Sequence, residues 1–232
     1  MKSAVIVFPG SNRDCDIALA LEKSTGIKPV MVWHDDTELP KGIDLVTLPG
    51  GFAHGDYLRC GAIAARTKIM HAIHAHAQRG GFVLGVCNGF QILCESGLLP
   101  GVLQRNRNLH FICRDVYLRV ERNNTVFSSA YKKGEVIKVP IAHGEGNYTA
   151  DAETLKKLET NNQIVFRYVG RNGELSDEGN VNGASDAIAG FTDETGRILG
   201  MMPHPENAIQ PEQGSTGGWG LFESLNALKA AA

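Results

Sequence analysis

Short apolar segments alternate with amphipathic segments through the first half of the chain, and this alternation constrains the fold most. The predicted strands are Ser3–Phe8, Pro29–Trp33, Asp44–Leu48 and Phe82–Val86. The predicted helices are Asp14–Lys23, a segment from about Gly61 to Gln78, and a segment from Asn88 to about Ser96. Strands that alternate with helices form parallel sheets covered on both faces, because each crossover connection is right-handed.

The second half of the chain is richer in strands. Its predicted strands are Phe111–Val120, Glu135–Ile141, Gln163–Tyr168, Ala187–Thr192 and Ile198–Met202, and a closing helix is predicted over Leu221–Ala231. A hairpin turn at Asp193–Gly196 joins the last two strands. No linker or repeat divides the sequence, so one domain is expected over residues 1–232. The predicted class is α/β, a mostly parallel central sheet flanked by helices with antiparallel additions. Ligands bind such sheets beyond the carboxyl ends of the parallel strands.

Composition excludes several classes of function. The chain has 232 residues, 43% of them hydrophobic, and a formal net charge of -2, so neither nucleic acid nor a membrane is an expected partner. The apolar run near the N-terminus stops at Pro9–Gly10 and is too short for an export signal. The five cysteines include no CxxC pair, so neither a disulfide framework nor a metal site is expected, and the expected location is the cytoplasm.

A Gly-x-Cys-x-Gly segment separates the fourth predicted strand from the helix that follows it. The turn of such a nucleophile elbow is so sharp that side chains two residues either side of the nucleophile would collide, and Gly85 and Gly89 remove them. Cys87 would then lie at a helix N-terminus, where the dipole favours a thiolate. The backbone N–H of Asn88 can donate to an oxyanion. The alternative is a buried structural cysteine in a tight turn.

A thiolate nucleophile needs an acid/base partner, and two histidines compete for this role. His204 is flanked by prolines that favour extended backbone, so Glu206, two residues on, faces the same way and can orient the imidazole. His143 also follows a predicted strand and also has a carboxylate, Glu145, two residues on. Spacing alone leaves the choice open.

The turn Pro49-Gly50-Gly51 ends the third predicted strand. Its two glycines let backbone N–H groups approach a ligand closely, so the turn can complete an oxyanion site with Asn88. The alternative is a plain turn that ends a strand.

A known family combines these features in this order. The PGG turn, a G-x-C-x-G-x-Q elbow that ends at Gln91, and the late His-Pro-Glu closely resemble a class I (triad) glutamine amidotransferase domain with a flavodoxin-like core. The resemblance spans nearly the whole chain. The branch of the family that serves de novo purine biosynthesis is matched further by residues 8–14, 49–59, 104–106 and 143–146.

The resemblance implies a role for each residue of the triad. Cys87 would attack the side-chain amide carbon of glutamine, and His204, oriented by Glu206, would remove the thiol proton and return one to the departing ammonia. The backbone N–H groups of Gly51 and Asn88 would stabilise the tetrahedral oxyanion. Water would then hydrolyse the glutamyl thioester to glutamate. The resemblance therefore selects His204 as the base.

The resemblance also implies a substrate site and partners. Gln91, His143 and Gly144 would help to hold the substrate. Glutamine hydrolysis needs neither ATP nor metal, so no cofactor is expected in this chain, and a partner would use ATP and Mg²⁺. The implied partners are a large synthetase subunit, which would receive ammonia through the protein interior, and a small bridging subunit.

Three other readings compete with this one. In the first, the chain serves a different synthase, such as one that makes carbamoyl phosphate or anthranilate, but residues 12–14 and 52–59 argue against this. In the second, it is a binding module without turnover, but the intact triad argues against this. In the third, it is another cysteine enzyme of similar fold, such as a peptidase, and that reading predicts no His-Pro-Glu segment.

Overall fold

The computed structural model describes residues 1–226, and its elements alternate as the sequence predicts. The strands within these residues are β1 (Ser3–Val7), β2 (Val30–Trp33), β3 (Leu45–Leu48), β4 (Phe82–Val86), β5 (Val102–Gln104), β6 (Ile112–Val120), β7 (Val136–His143), β8 (Asn147–Thr149), β9 (Ile164–Val169), β10 (Ile188–Thr192) and β11 (Ile198–Met201). The helices are α1 (Asp14–Thr25), α2 (Ile69–Gln78), α3 (Asn88–Glu95), α4 (Ala152–Thr160) and α5 (Trp219–Ser224).

A nine-stranded sheet holds these elements together. Its strand order is β2-β1-β3-β4-β11-β10-β9-β6-β7, and β5 pairs with β8 in a separate two-stranded sheet. The pairs from β2 to β11 are parallel, whereas those from β11 to β7 are antiparallel. Every residue of β3 and β11 is buried, as expected of parallel strands covered on both faces. The predicted α/β class, a mostly parallel core with antiparallel additions, is confirmed.

The strand order places three strand ends side by side. β4 lies between β3 and β11, with Leu48 opposite Gly85 on one side and Met201 opposite Val86 on the other. The Cys87 N–H donates to the Met201 carbonyl at 2.7 Å. The PGG turn, the cysteine elbow and the His-Pro-Glu segment therefore leave the sheet at one edge.

The predicted helix from Gly61 to Gln78 is wrong in its first half. The helix α2 begins only at Ile69, and Ala64–Arg66 forms a single 3₁₀ turn. Gly61 has a φ of +81°, and a Cβ there would lie 2.8 Å from the backbone nitrogen of Ile92. This segment therefore packs closely on α3 and does not form a regular helix.

The sequence patterns missed three elements and placed one helix partly outside the described residues. The helix α4 and the short strands β5 and β8 were not predicted. The predicted closing helix begins as α5, and its residues 227–231 lie outside the described part of the chain.

No helix within residues 1–226 has the length and apolar character to cross a membrane. The division into a single domain stays a prediction.

Candidate active site

Cys87 lies in a strained turn between β4 and α3. Its backbone φ of 50° and ψ of -107° are rare for a residue with a side chain, and such strain concentrates at functional sites. A Cβ added at Gly85 would lie 2.7 Å from the Gly89 carbonyl oxygen, and one added at Gly89 would overlap the Leu48 carbonyl oxygen. The turn therefore closes as tightly as the predicted elbow requires, and Cys87 itself is buried.

His204 and Glu206 form a buried pair beside the elbow. Nδ1 of His204 lies 2.7 Å from Oε1 of Glu206, and the two residues are 4% and 1% exposed. Burial alone would lower the pKa of His204, but the charges of Glu206 and Cys87 raise it to about 10. The buried carboxylate of Glu206 therefore favours the protonated imidazole. The pairing of Val86 with Met201 places Cys87 next to the segment that carries this pair, and Nε2 of His204 is buried with no hydrogen-bond partner among residues 1–226.

His143 has a different environment from His204. Its Nδ1 lies 3.0 Å from Oδ1 of Asn106, and the carboxylate of Glu145 faces Arg105 at 4.0 Å. Burial, and then the charge of His204, lower the pKa of His143 to about 4, so its ring is neutral at neutral pH. The geometry therefore supports His204 as the base.

The PGG turn lies against the imidazole of His204. A Cβ added at Gly50 would lie 2.7 Å from Cε1 of His204, and one added at Gly51 would lie 2.7 Å from Cα of Ser11. Gly51 also has a φ of +150°, which favours glycine. Asn88 is the first residue of α3, so its N–H has no acceptor within the helix. The two predicted oxyanion donors belong to the two turns that border Cys87, and their role stays a prediction.

All three predicted substrate residues make contacts within the chain, and that of His143 with Asn106 is described above. Nε2 of Gln91 donates to the Glu145 carbonyl at 2.7 Å, and its Oε1 accepts from Nδ2 of Asn88 at 2.9 Å. The carbonyl of Gly144 accepts from the Asn106 N–H at 2.9 Å. Gln91 therefore ties the elbow helix to the loop of residues 143–146. Direct contact of Gln91, His143 or Gly144 with substrate stays a prediction.

Two buried amides that no sequence pattern marked hold the same loop. Nδ2 of Asn106 donates to the His143 carbonyl at 2.8 Å, and Nδ2 of Asn182 donates to the Gly146 carbonyl at 2.8 Å. Both asparagines are fully buried. Asn106 belonged to one of the stretches that carried the family resemblance, but nothing in the sequence marked its partners. No cluster of three or more possible metal ligands occurs within residues 1–226.

Comparison with known proteins identifies the class of this site. Residues 1–220 match the family model of the CobB/CobQ-like glutamine amidotransferase domain, so the chain belongs to the glutamine amidotransferases and is an enzyme of that class. The phosphoribosylformylglycinamidine synthase subunit PurQ of Rhodopseudomonas palustris (strain CGA009) is 61% identical over 225 residues, 97% of each chain. That of Rhizobium meliloti is 56% identical over the full length of both chains.

A solved structure agrees with these relatives. A chain in the structure of PurLQS from Thermotoga maritima superposes with a TM-score of 0.86 at 43% identity, covering 98% of each chain. Within the amidotransferases, the chain therefore belongs to the PurQ family, the glutaminase subunits of phosphoribosylformylglycinamidine synthase. The predicted resemblance is confirmed.

Proposed function

We propose that this chain hydrolyses glutamine through a thioester on Cys87 and delivers the ammonia to an ATP-dependent synthetase subunit for purine biosynthesis. The observation that carries this proposal is the pairing of β4 with β11, which brings Cys87 beside the buried His204–Glu206 pair. A cysteine, an imidazole and a carboxylate in this relation are the groups that acyl transfer needs.

The reaction follows from the charges in the site. The raised pKa of His204 suits it to take the proton of Cys87, and the resulting thiolate attacks the amide carbon of glutamine. The backbone N–H groups of Gly51 and Asn88 stabilise the oxyanion. The tetrahedral intermediate expels ammonia as His204 donates a proton to the nitrogen. His204 then takes a proton from water, which hydrolyses the thioester and releases glutamate.

The partners extend this proposal. PurQ relatives are named as synthase subunits, and the similar solved structure is of a PurLQS assembly. We infer a large synthetase subunit that uses ATP and Mg²⁺ and a small bridging subunit, with no cofactor in this chain because thioester chemistry needs none. The cysteines, none of them in a disulfide within residues 1–226, fit a reducing cytoplasm.

The test replaces Cys87 with Ala in the reconstituted synthase. Activity with glutamine should disappear, whereas activity with added ammonium chloride should persist. Cys94→Ala is the matched control, because Cys94 is another buried cysteine and lies on α3. Loss of both activities in Cys87→Ala would indicate a structural cysteine, and retention of both would exclude Cys87 as the nucleophile.

A further inference from the structure

The side chain of Asn88, the residue after the nucleophile, makes three hydrogen bonds inside the protein. Its Oδ1 accepts from the Ala53 N–H at 3.0 Å. Its Nδ2 donates to Oε1 of Gln91 at 2.9 Å and to Oδ1 of Asp56 at 3.3 Å. A backbone N–H can only donate, so Oδ1 is the atom that faces Ala53 and the orientation of the amide is fixed. Asn88 is 1% exposed, and its amide therefore bonds to the protein rather than to solvent.

Two of these partners belong to the loop of residues 52–59, which follows directly on the PGG turn. Two other N–H groups of this 52–59 loop, those of Phe52 and His54, donate to carbonyls in the segment 9–10 at 3.0 and 2.7 Å. The N–H between them donates instead to the Asn88 amide. The start of the loop is therefore held from two sides, and Asn88 supplies the side that belongs to the elbow.

The backbone of the 52–59 loop is strained. His54, Asp56 and Leu58 have positive φ values of 54°, 54° and 71°. Each residue with a side chain in this region costs about 1–3 kcal/mol. Leu58 is 94% exposed, so its side chain gains no packing in return. The loop therefore keeps its shape through bonds to its neighbours, and loss of those bonds would let it relax.

One face of α3 supplies several of these bonds. Asn88, Gln91 and Glu95 are three and four residues apart, a spacing that places them on the same side of a helix. Glu95 makes two bonds of 2.6 Å with Arg59, at the end of the loop. The Arg59 side chain is exposed, and an ion pair in solvent contributes little. Asn88 supplies a buried contact, which solvent does not weaken.

We propose that Asn88 is the positioning residue of the oxyanion site. Its side-chain amide fixes the loop that follows Gly51 against the elbow, so that the N–H groups of Gly51 and Asn88 converge on one oxygen. This inference rests on the proposed function, which assigns those two N–H groups to the oxyanion. The backbone of Asn88 supplies one donor, and its side chain holds the segment that carries the other. Such donors must be in place before charge develops on the oxygen.

Two reactions of Cys87 separate this role from simple support of the elbow. Attack on glutamine turns a neutral carbonyl into an oxyanion, so misplaced donors should lower kcat and leave KM nearly unchanged. In alkylation by iodoacetamide, the sulfur forms a bond to a tetrahedral carbon as iodide leaves, and no oxyanion forms. The alkylation rate therefore reports on the thiolate and the elbow but not on the oxyanion donors.

The experiment measures both reactions in Asn88→Leu, which keeps the approximate size of the side chain and removes both polar atoms. In the reconstituted synthase, kcat for glutamine hydrolysis should fall about 10- to 100-fold, with KM changed by less than about threefold. Alkylation of Cys87, followed by mass spectrometry of its peptide, should keep nearly its wild-type rate. The control Gln163→Leu removes another buried amide, which donates to the Thr192 carbonyl at 2.7 Å, and should change neither reaction.

Several outcomes would overturn the inference. Equal losses of hydrolysis and alkylation in Asn88→Leu would show that the residue only supports the elbow. An unchanged kcat for glutamine would show that the amide does not position the donors. If Cys87→Ala still hydrolysed glutamine, the proposed mechanism itself would fail, which is a distinct result.

A second variant, Asn88→Asp, keeps the acceptor oxygen for the loop but places a second acceptor opposite Gln91 and Asp56. Burial and the charge of Asp56 should raise the pKa of the new carboxyl toward neutrality, and its protonated form can donate again. Glu145 and Cys60, the other titratable groups that act on Asp56, are unchanged in this variant. Its kcat for glutamine relative to wild type should be low at high pH and recover as pH falls, with no such recovery in Asn88→Leu. A ratio that stays flat with pH would contradict the role of Nδ2.

Discussion

Replacement of Glu206 by Gln tests the electrostatic core of the site. The carboxylate is almost completely buried, and its Oε1 lies 2.7 Å from Nδ1 of His204. Gln keeps the shape of the side chain but removes the charge. The substitution therefore isolates the effect of that charge on the imidazole.

The magnitude follows from the loss of a buried, charged hydrogen-bond partner. Burial lowers the pKa of His204, whereas the charge of Glu206, and then that of Cys87, raise it. A hydrogen bond to a charged group contributes about 1.5–3 kcal/mol. The expected loss in kcat/KM for glutamine is therefore about 10- to 150-fold.

The assay measures glutamine-dependent and ammonia-dependent activity of the reconstituted synthase side by side. Only the first should fall, because ammonia bypasses the glutaminase site. Glu212→Gln, at an exposed glutamate a few residues along the same segment, should change neither activity. A loss of less than about fivefold in Glu206→Gln, or an equal loss with ammonia, would refute the assigned role of the carboxylate.

Three further predictions concern stability. The raised pKa of His204 means that its stabilising contribution is full below pH 6.5 and is lost as pH rises through about 10, so His204→Ala should flatten the alkaline decline in urea-unfolding free energy. The lowered pKa of His143 acts in the opposite sense: its contribution is full above pH 6.5 and is lost as pH falls through about 4, so His143→Phe should flatten the acid limb measured in the same way. Gly89→Ala should lower the unfolding free energy by about 3 kcal/mol, because the added Cβ would overlap the Leu48 carbonyl. The control Gly97→Ala, where the added Cβ has no neighbour within 4 Å, should lower it by about 1 kcal/mol. Equal losses in the two variants would contradict the packing argument.

The parts of the site that sequence could predict are those built from local chain geometry. The elbow around Cys87 was predictable because two glycines at fixed spacing report a tight turn, and His204 and Glu206 are close in sequence. The pairing of β4 with β11 joins distant segments, and no local pattern encodes it. The choice between His204 and His143 likewise needed either the family resemblance or the structure.

The errors have equally physical causes. The segment before α2 has helix-forming residues, yet its tertiary packing on α3 prevents a regular helix, which propensity cannot report. Asp151 caps the N-terminus of α4 by accepting a hydrogen bond from the Thr154 N–H, a local signal that could have predicted this helix. Asn106 and Asn182 act through partners far away in the chain, so their burial was visible only in the fold.

The neighbouring positions of β4 and β11 have a consequence for biogenesis. The proposed nucleophile, Cys87, and the proposed base, His204, are separated by about half the chain length, and β11 is the last strand of the described sheet to be synthesised. Since domains are made from the N-terminus onward, an unfinished polypeptide on the ribosome carries the reactive cysteine without its imidazole. On the proposed mechanism, such a polypeptide should not hydrolyse glutamine until β11 has paired with β4.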